Sequence, residues 1–168
     1  ALEISGSWEV QFPPNLGAPE SRVFDQLVSW TSIPDDGIKY FSGTATYLKE
    51  FEVPASLLAH GGQLELDLGQ LRNVAEATFN GKPLGIRWKP PFSYAVTGLV
   101  RPGKNRLAVK ITNLWANRLA GDALLPRGKR ITRITQKVGL GGPLEAGLFG
   151  PVQVRVVFRD GPASPPPI

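Results

Sequence analysis

The feature that most constrains this chain is a two-residue alternation of apolar and polar side chains that returns along its length. "SWEVQF" sets Trp8, Val10 and Phe12 against Ser7, Glu9 and Gln11, and "QLELDLG" sets Leu64, Leu66 and Leu68 against Glu65 and Asp67. "RLAVKIT" puts Leu107, Val109 and Ile111 on one side, and "PVQVRVVF" does the same with Val152, Val154, Val156 and Phe158. An extended strand has this period, so each stretch is predicted to bury one face and wet the other.

The segments between them fit the same plan. "TATYLKEFEV" is rich in β-branched and aromatic residues and stops at Pro54, which cannot donate to a central ladder. A short helical turn, "ASLLA", is expected next. Asn80-Gly81 lies between apolar runs and accepts the positive φ that a type I′ hairpin turn needs at both central positions. "PPFSYAV" and the turn "RPGKN" continue the series. Residues 13–43 have no long period, but "SRVFDQLVSW" predicts a helical turn or short strand that buries Phe24, Leu27 and Trp30. With 19 Gly and 16 Pro to make turns, eight or so antiparallel strands without long helices predict an all-β fold. That fold is a two-sheet antiparallel β-sandwich with jelly-roll topology. One domain is expected over 1–159, and 160–168, "DGPASPPPI", reads as a Pro-rich tail or linker stub.

Several function classes fall away. The chain has no cysteine, which excludes disulfides, thiolate nucleophiles and cysteine-type zinc sites. Its net charge of +5 is spread along the sequence except at "RGKRITR", residues 127–133, and no recognition-helix pattern or aromatic-rich basic groove goes with it, so no nucleic-acid partner is expected. No apolar run approaches the roughly 18 to 20 residues of a membrane span, and "ALEISGSWEV" lacks a basic then apolar leader pattern.

Catalytic chemistry has little support. A glycosidase needs two carboxylates about 5 to 9.5 Å apart across a cleft, and nothing in the sequence pairs Asp35, Asp36, Glu76, Asp122 or Glu145. Asp35-Asp36-Gly37 reads first as a turn, with a rim contact or calcium ligation by Asp35 and Asp36 as the alternatives. His60, the single histidine, lies in "LLAHGG" beside no serine or carboxylate motif and reads as a solvated loop residue. The glycines of "GLGGPLEAGLFG" do not follow the GxGxxG spacing and suit a turning loop instead.

Four stretches carry a resemblance: "GIKYFSGTATYLKEFEVP", "LDLGQLRNVAEATFNGKPLGIRWKPPF", "LVRPGKNRLAVKITNLWANRLAGD" and "GLFGPVQV". Over roughly residues 7–158 the chain resembles the galactose-binding-like sugar-binding sandwich of large glycoside hydrolases. The likeness is strongest to the C-terminal sandwich of glycoside hydrolase family 106, the α-L-rhamnosidases, and weaker to the family 2 sugar-binding domain. One departure is Ala146, where the pattern leads us to expect a serine before the Gly of "GLFGPV".

The resemblance implies a non-catalytic, carbohydrate-binding accessory module of a bacterial glycoside hydrolase, secreted or periplasmic. Its partners would be a plant or microbial polysaccharide and the catalytic domain of the same enzyme, with no cofactor beyond a possible structural calcium. The alternative is a purely structural domain that packs on the catalytic domain and binds no free sugar. Candidate stacking platforms are Trp88, Tyr40, Phe41 and Trp115, with Lys89, Asn113, Asn117 and Arg118 as hydroxyl partners. A pyranose stacked on one exposed Trp face buries on the order of 100 Å² of apolar area, worth about 2.5 kcal/mol, so a lone site is expected near millimolar affinity.

The stretch "TNLWANRLAGD", residues 112–122, reads first as a polar bolt at the end of a strand, with a ligand-binding rim as the alternative. Asn113, Asn117 and Asp122 suit the capping of turn amides, Arg118 and Asp122 can pair if the segment is helical, and Leu114 and Leu119 are expected to anchor it.

Overall fold

The computed structural model describes residues 1–59, 61–134 and 141–158. The expected tail at 160–168 and the reading of His60 lie outside the described residues. In chain order the strands are β1 (Leu2–Glu3), β2 (Trp8–Gln11), β3 (Ser21–Phe24), β4 (Thr44–Val53), β5 (Gln63–Asp67) and β6 (Gln70–Arg72). They continue as β7 (Val74–Phe79), β8 (Lys82–Arg87), β9 (Ser93–Ala95), β10 (Gly103–Thr112), β11 (Gly147–Gly150) and β12 (Gln153–Val157). Among the described residues three short α-helices interrupt them: α1 (Asp36–Lys39), α2 (Ala55–Leu58) and α3 (Ala116–Ala123).

The strands make two antiparallel sheets. One has the order β3-β2-β4-β10-β7-β8, the other β1-β12-β5-β9, and β11 pairs with β6 in a small third ladder. The fold is a two-layer β-sandwich. Its spine is the β4–β10 pair, in register over ten residues from Thr44↔Thr112 to Val53↔Gly103. The predicted alternation is realised: Trp8, Val10, Phe12, Leu64, Leu66, Leu68, Leu107, Val109, Ile111, Val152 and Val154 are all buried. Asn80 and Gly81 take φ of 49° and 81° between β7 and β8, as a type I′ turn requires.

The alternation runs out at the end of β12. Phe158, expected to face inward, is 72% exposed because the strand stops at Val157 and the next residue has left the sheet. Residues 13–43 hold a short strand, β3, a 3₁₀ turn at Trp30–Ser32 and the single helical turn α1. Phe24 and Trp30 are buried as expected, while Leu27 packs half-buried against the core.

An aromatic cluster fills the end of the sandwich from which α3 leaves. Phe12, Trp30 and Phe41 meet edge to face with centroids 5.0 to 6.0 Å apart. Such pairs add about 0.5 to 1.5 kcal/mol each beyond their burial. Trp30 donates its indole N–H to the Tyr47 hydroxyl at 2.6 Å, and the backbone N–H of Leu148 donates to the same oxygen at 3.2 Å. Gly147 is required here. Its φ is +115°, and a Cβ would stand 2.8 Å from the Trp30 indole nitrogen and 2.9 Å from the Tyr47 hydroxyl.

Candidate functional site

The eight expected sugar-contact residues fall into two separate regions. The first surrounds α3, and here most of the polar groups are already committed to the fold. Asn113 accepts from the backbone N–H of Gly43 at 2.9 Å and donates to the Phe41 carbonyl at 2.9 Å. Asn117, buried, clasps the backbone of Leu144 with both ends of its amide, at 2.8 Å each way. Ser42 Oγ accepts from the Arg118 backbone N–H and donates to the Leu114 carbonyl.

The side chains of Arg118 and Asp122 are also buried, one turn apart, with Nε and Oδ1 separated by 3.0 Å. The contact is an ion pair rather than an aligned hydrogen bond, since the Arg118 Nε–H finds no acceptor in line. Asp122 accepts in addition from the backbone N–H groups of Ile131 and Thr132 and from the Thr132 hydroxyl, at 3.1, 2.7 and 2.6 Å. Burial pushes the Asp122 carboxyl up, but the Thr132 and Ile131 hydrogen bonds and the Arg118 charge outweigh it and hold the group below the usual carboxylate range. Gly121 lets α3 approach this closely, because a Cβ there would sit 2.6 Å from the Tyr40 Cβ.

These facts correct the expected site. Phe41 is 0% exposed and belongs to the aromatic core, so its ring cannot stack on a ligand. Asn113 and Asn117 spend their amides on the backbone, and the buried Arg118 side chain lies against Asp122. Leu114, expected to anchor the segment, is instead 54% exposed, and the anchoring is done by the buried polar residues. Ala146 is buried, with its N–H donated to Ser29 Oγ and its carbonyl accepting from Trp30 N. Tyr40 is half-buried against α3, and Trp115 stands exposed at the first residue before that helix.

The carboxylates first weighed for catalysis also serve structure. Asp35 caps α1 through the N–H of Ile38 and pairs with Arg22 at 3.3 Å. Glu76 pairs with Lys110 and Glu145 with Arg72, each at 3.7 Å. Among the described residues, no three His, Asp or Glu side chains gather as a metal site would need, so Asp35 and Asp36 form no calcium cluster there.

The second region holds Trp88 and Lys89. β8 is the outer strand of the larger sheet and β9 the outer strand of the smaller, so residues 88–92 cross from one sheet edge to the other. The crossing frames an open cleft of about 570 Å³, lined by Glu65, Arg87, Trp88, Lys89, Pro90, Pro91 and Ser93 among others. Trp88 is 69% exposed, and the Lys89 ammonium lies 5.3 Å from its ring centroid. Arg87 stacks 4.7 Å over the Tyr94 ring and donates to the carbonyls of Ser93 and Ile86. Burial pushes the Tyr94 hydroxyl up to about 12, against a smaller downward pull from Arg87. Sequence reasoning found Trp88 and Lys89 but missed Arg87 and Glu65. The signal for Arg87 lay in "IRWKPPF", where a second cation precedes the tryptophan.

No protein-family model matches this sequence. The "Putative beta-glucuronidase" of Formosa agariphila is 50% identical over 125 residues, which is 74% of this chain and 11% of that protein. A rhamnosidase structure from Novosphingobium sp. PP1Y superposes with a TM-score of 0.82 at 35% identity, over 92% of this chain and 15% of that one. In sequence and fold the chain is similar to a β-sandwich portion of these large glycoside hydrolases. An uncultured Clostridium sp. β-glucuronidase shares the sandwich fold at a TM-score of 0.57 and 23% identity, over 67% of this chain and 22% of that one. The sandwich domain thus spans only a small part of each relative.

Proposed function

We propose that this chain is a non-catalytic accessory domain of a bacterial, secreted or periplasmic glycoside hydrolase, and that it binds saccharide weakly at the Trp88 cleft. The observation that carries the reading is Trp88 itself, a large ring left 69% exposed in an open cleft with hydrogen-bonding side chains at its margin. Leaving such a ring in water forgoes the roughly 2.5 kcal/mol that covering about 100 Å² of it would return, and a pyranose face supplies that cover. Millimolar binding of this kind serves an enzyme well when the module is tethered to it, because tethering holds substrate at high effective concentration. The nearby carboxylate, Glu65, is engaged by Arg155, which suits a binding surface rather than a catalytic pair.

A second reading has its own support. Leu114, Trp115, Leu124, Ile131, Ile134 and Leu144 are exposed and all fall within residues 114–144, around α3. An apolar concentration of that kind suits packing against another domain of the parent hydrolase. The two roles use different faces and are compatible. Calorimetric titration with rhamnose- and galactose-containing oligosaccharides tests the first: heat at millimolar ligand is expected, and none at that concentration overturns it.

A further inference from the structure

We propose that the Trp88 cleft selects saccharides carrying an anionic group, a carboxylate or a sulfate ester. The proposal rests on the reading of that cleft as a sugar site and adds the chemical class of the ligand. It is carried by the charge balance of the cleft, which is set by three side chains.

Glu65 is the carboxylate among the lining residues, and it is already matched. Its Oε1 receives both Nε and Nη2 of Arg155, at 3.0 and 2.6 Å, while Arg155 Nη1 reaches Asp67 at 3.2 Å. Arg155 comes from β12, the neighbour of β5, and its one positive charge is shared by Glu65 and Asp67, so these three groups keep a single negative charge against the two positive charges of Arg87 and Lys89. The two cations of the cleft have no such match. Among the described residues neither Arg87 nor Lys89 pairs with a carboxylate.

Arg87 is held in place without losing its charge. Nε donates to the Ser93 carbonyl, Nη1 to the Ile86 carbonyl, and the plane lies over Tyr94, while Nη2 makes none of these bonds. A guanidinium fixed in this way still offers its Nη2 N–H groups to carboxylate or sulfate oxygens with little further loss of freedom. Lys89 adds an ammonium 5.3 Å from the centroid of the Trp88 ring, so an acid group on a pyranose stacked there meets a second positive charge. A neutral sugar gains the stacking alone. An anionic one gains both exposed charge contacts, worth together about a five- to twenty-fold increase in affinity at low salt, and screening shrinks that gain as salt is added.

The test follows the indole N–H signals of the 168-residue chain by ¹H–¹⁵N NMR, with Trp88→Phe used to assign the Trp88 signal. The ligands are trigalacturonate, its fully methyl-esterified trimer and a sulfated galactotriose, at 20 mM and 300 mM salt. The expected result is that trigalacturonate moves the Trp88 signal with at least about five-fold tighter affinity than its ester at low salt. Lys89→Gln and Arg87→Gln should each remove part of the difference and leave the ester unchanged. Tight binding of the sulfated trimer as well assigns the site to anions in general, and its failure restricts it to carboxylates. Equal affinity for acid and ester overturns the anionic preference and leaves sugar binding standing. No movement of the Trp88 signal with any ligand overturns both.

Discussion

Arg118 and Asp122 stand one turn apart on α3, Nε to Oδ1 at 3.0 Å, with their side chains only 6% and 5% exposed. Removing two charges from water is costly, and this pair is justified by what else Asp122 holds: the backbone of Ile131, and both the backbone and hydroxyl of Thr132. The carboxylate therefore ties the segment after α3 back onto the helix.

Unequal costs follow for the two partners. Asp122→Ala leaves a buried guanidinium and three loop donors without an acceptor and should cost about 3 to 5 kcal/mol. Arg118→Met leaves Asp122 with its three donors and should cost less, about 1 to 2 kcal/mol. Urea unfolding of the two variants measures the difference, and an equal loss would mean that the ion pair, rather than the loop clasp, stabilises this end.

The same carboxylate gives a pH dependence. Its pKa is lowered in the folded state, so its contribution is fully present above the ordinary carboxylate range and is lost as pH falls below about 4 through the folded value. Thermal melts at pH 7 and pH 3 should show a smaller acid-induced drop in Asp122→Asn than in wild type. An unchanged drop would assign the acid sensitivity to other groups.

Tyr47 sets the alkaline side. Its hydroxyl accepts from Trp30 and Leu148, and burial pushes its pKa up to about 12. The neutral phenol is thus favoured by folding, and that stability is present below about pH 10 and lost as pH rises through 10 towards 12. Tyr47→Phe leaves two buried N–H donors unsatisfied and should cost about 1 to 3 kcal/mol, a fall in Tm of roughly 3 to 10 °C for a chain of this size. Melts of the variant at pH 7 and pH 10.5 check both statements.

Much of the sandwich is legible in the sequence, because burial of one strand face writes a local period of two. Trp8 with Val10, Leu64 with Leu66, and Leu107 with Val109 all follow it, and Asn80-Gly81 announces its turn through local backbone chemistry. The rule fails where its cause ends: Phe158 continues the pattern on paper but lies past the last ladder residue. The bolt around α3 was half legible. The i to i+4 spacing of Arg118 and Asp122 is local and could be read, but the groups that make burying them tolerable are distant in sequence. Asn117 is satisfied by Leu144, Asp122 by Thr132, and the backbone N–H of Arg118 by Ser42. Apolarity alone marks Leu114 as an anchor, and it is a poor guide where a helix buries its polar face. For the cleft, Trp88 could be singled out as an aromatic between cations and prolines, whereas Glu65 joins it only because β5 pairs with β9.

Saccharide binding is proposed to reside at Trp88 and not around α3. The most direct measurement is retention of wild type, Trp88→Ala and Trp115→Ala in native affinity gels containing an acidic plant polysaccharide. Both tryptophans are exposed, so neither variant should lose more than about 0.5 kcal/mol of stability. The expected result is retardation of wild type and Trp115→Ala, with Trp88→Ala running as in a gel without polysaccharide. Retardation of Trp88→Ala equal to that of wild type would contradict the account.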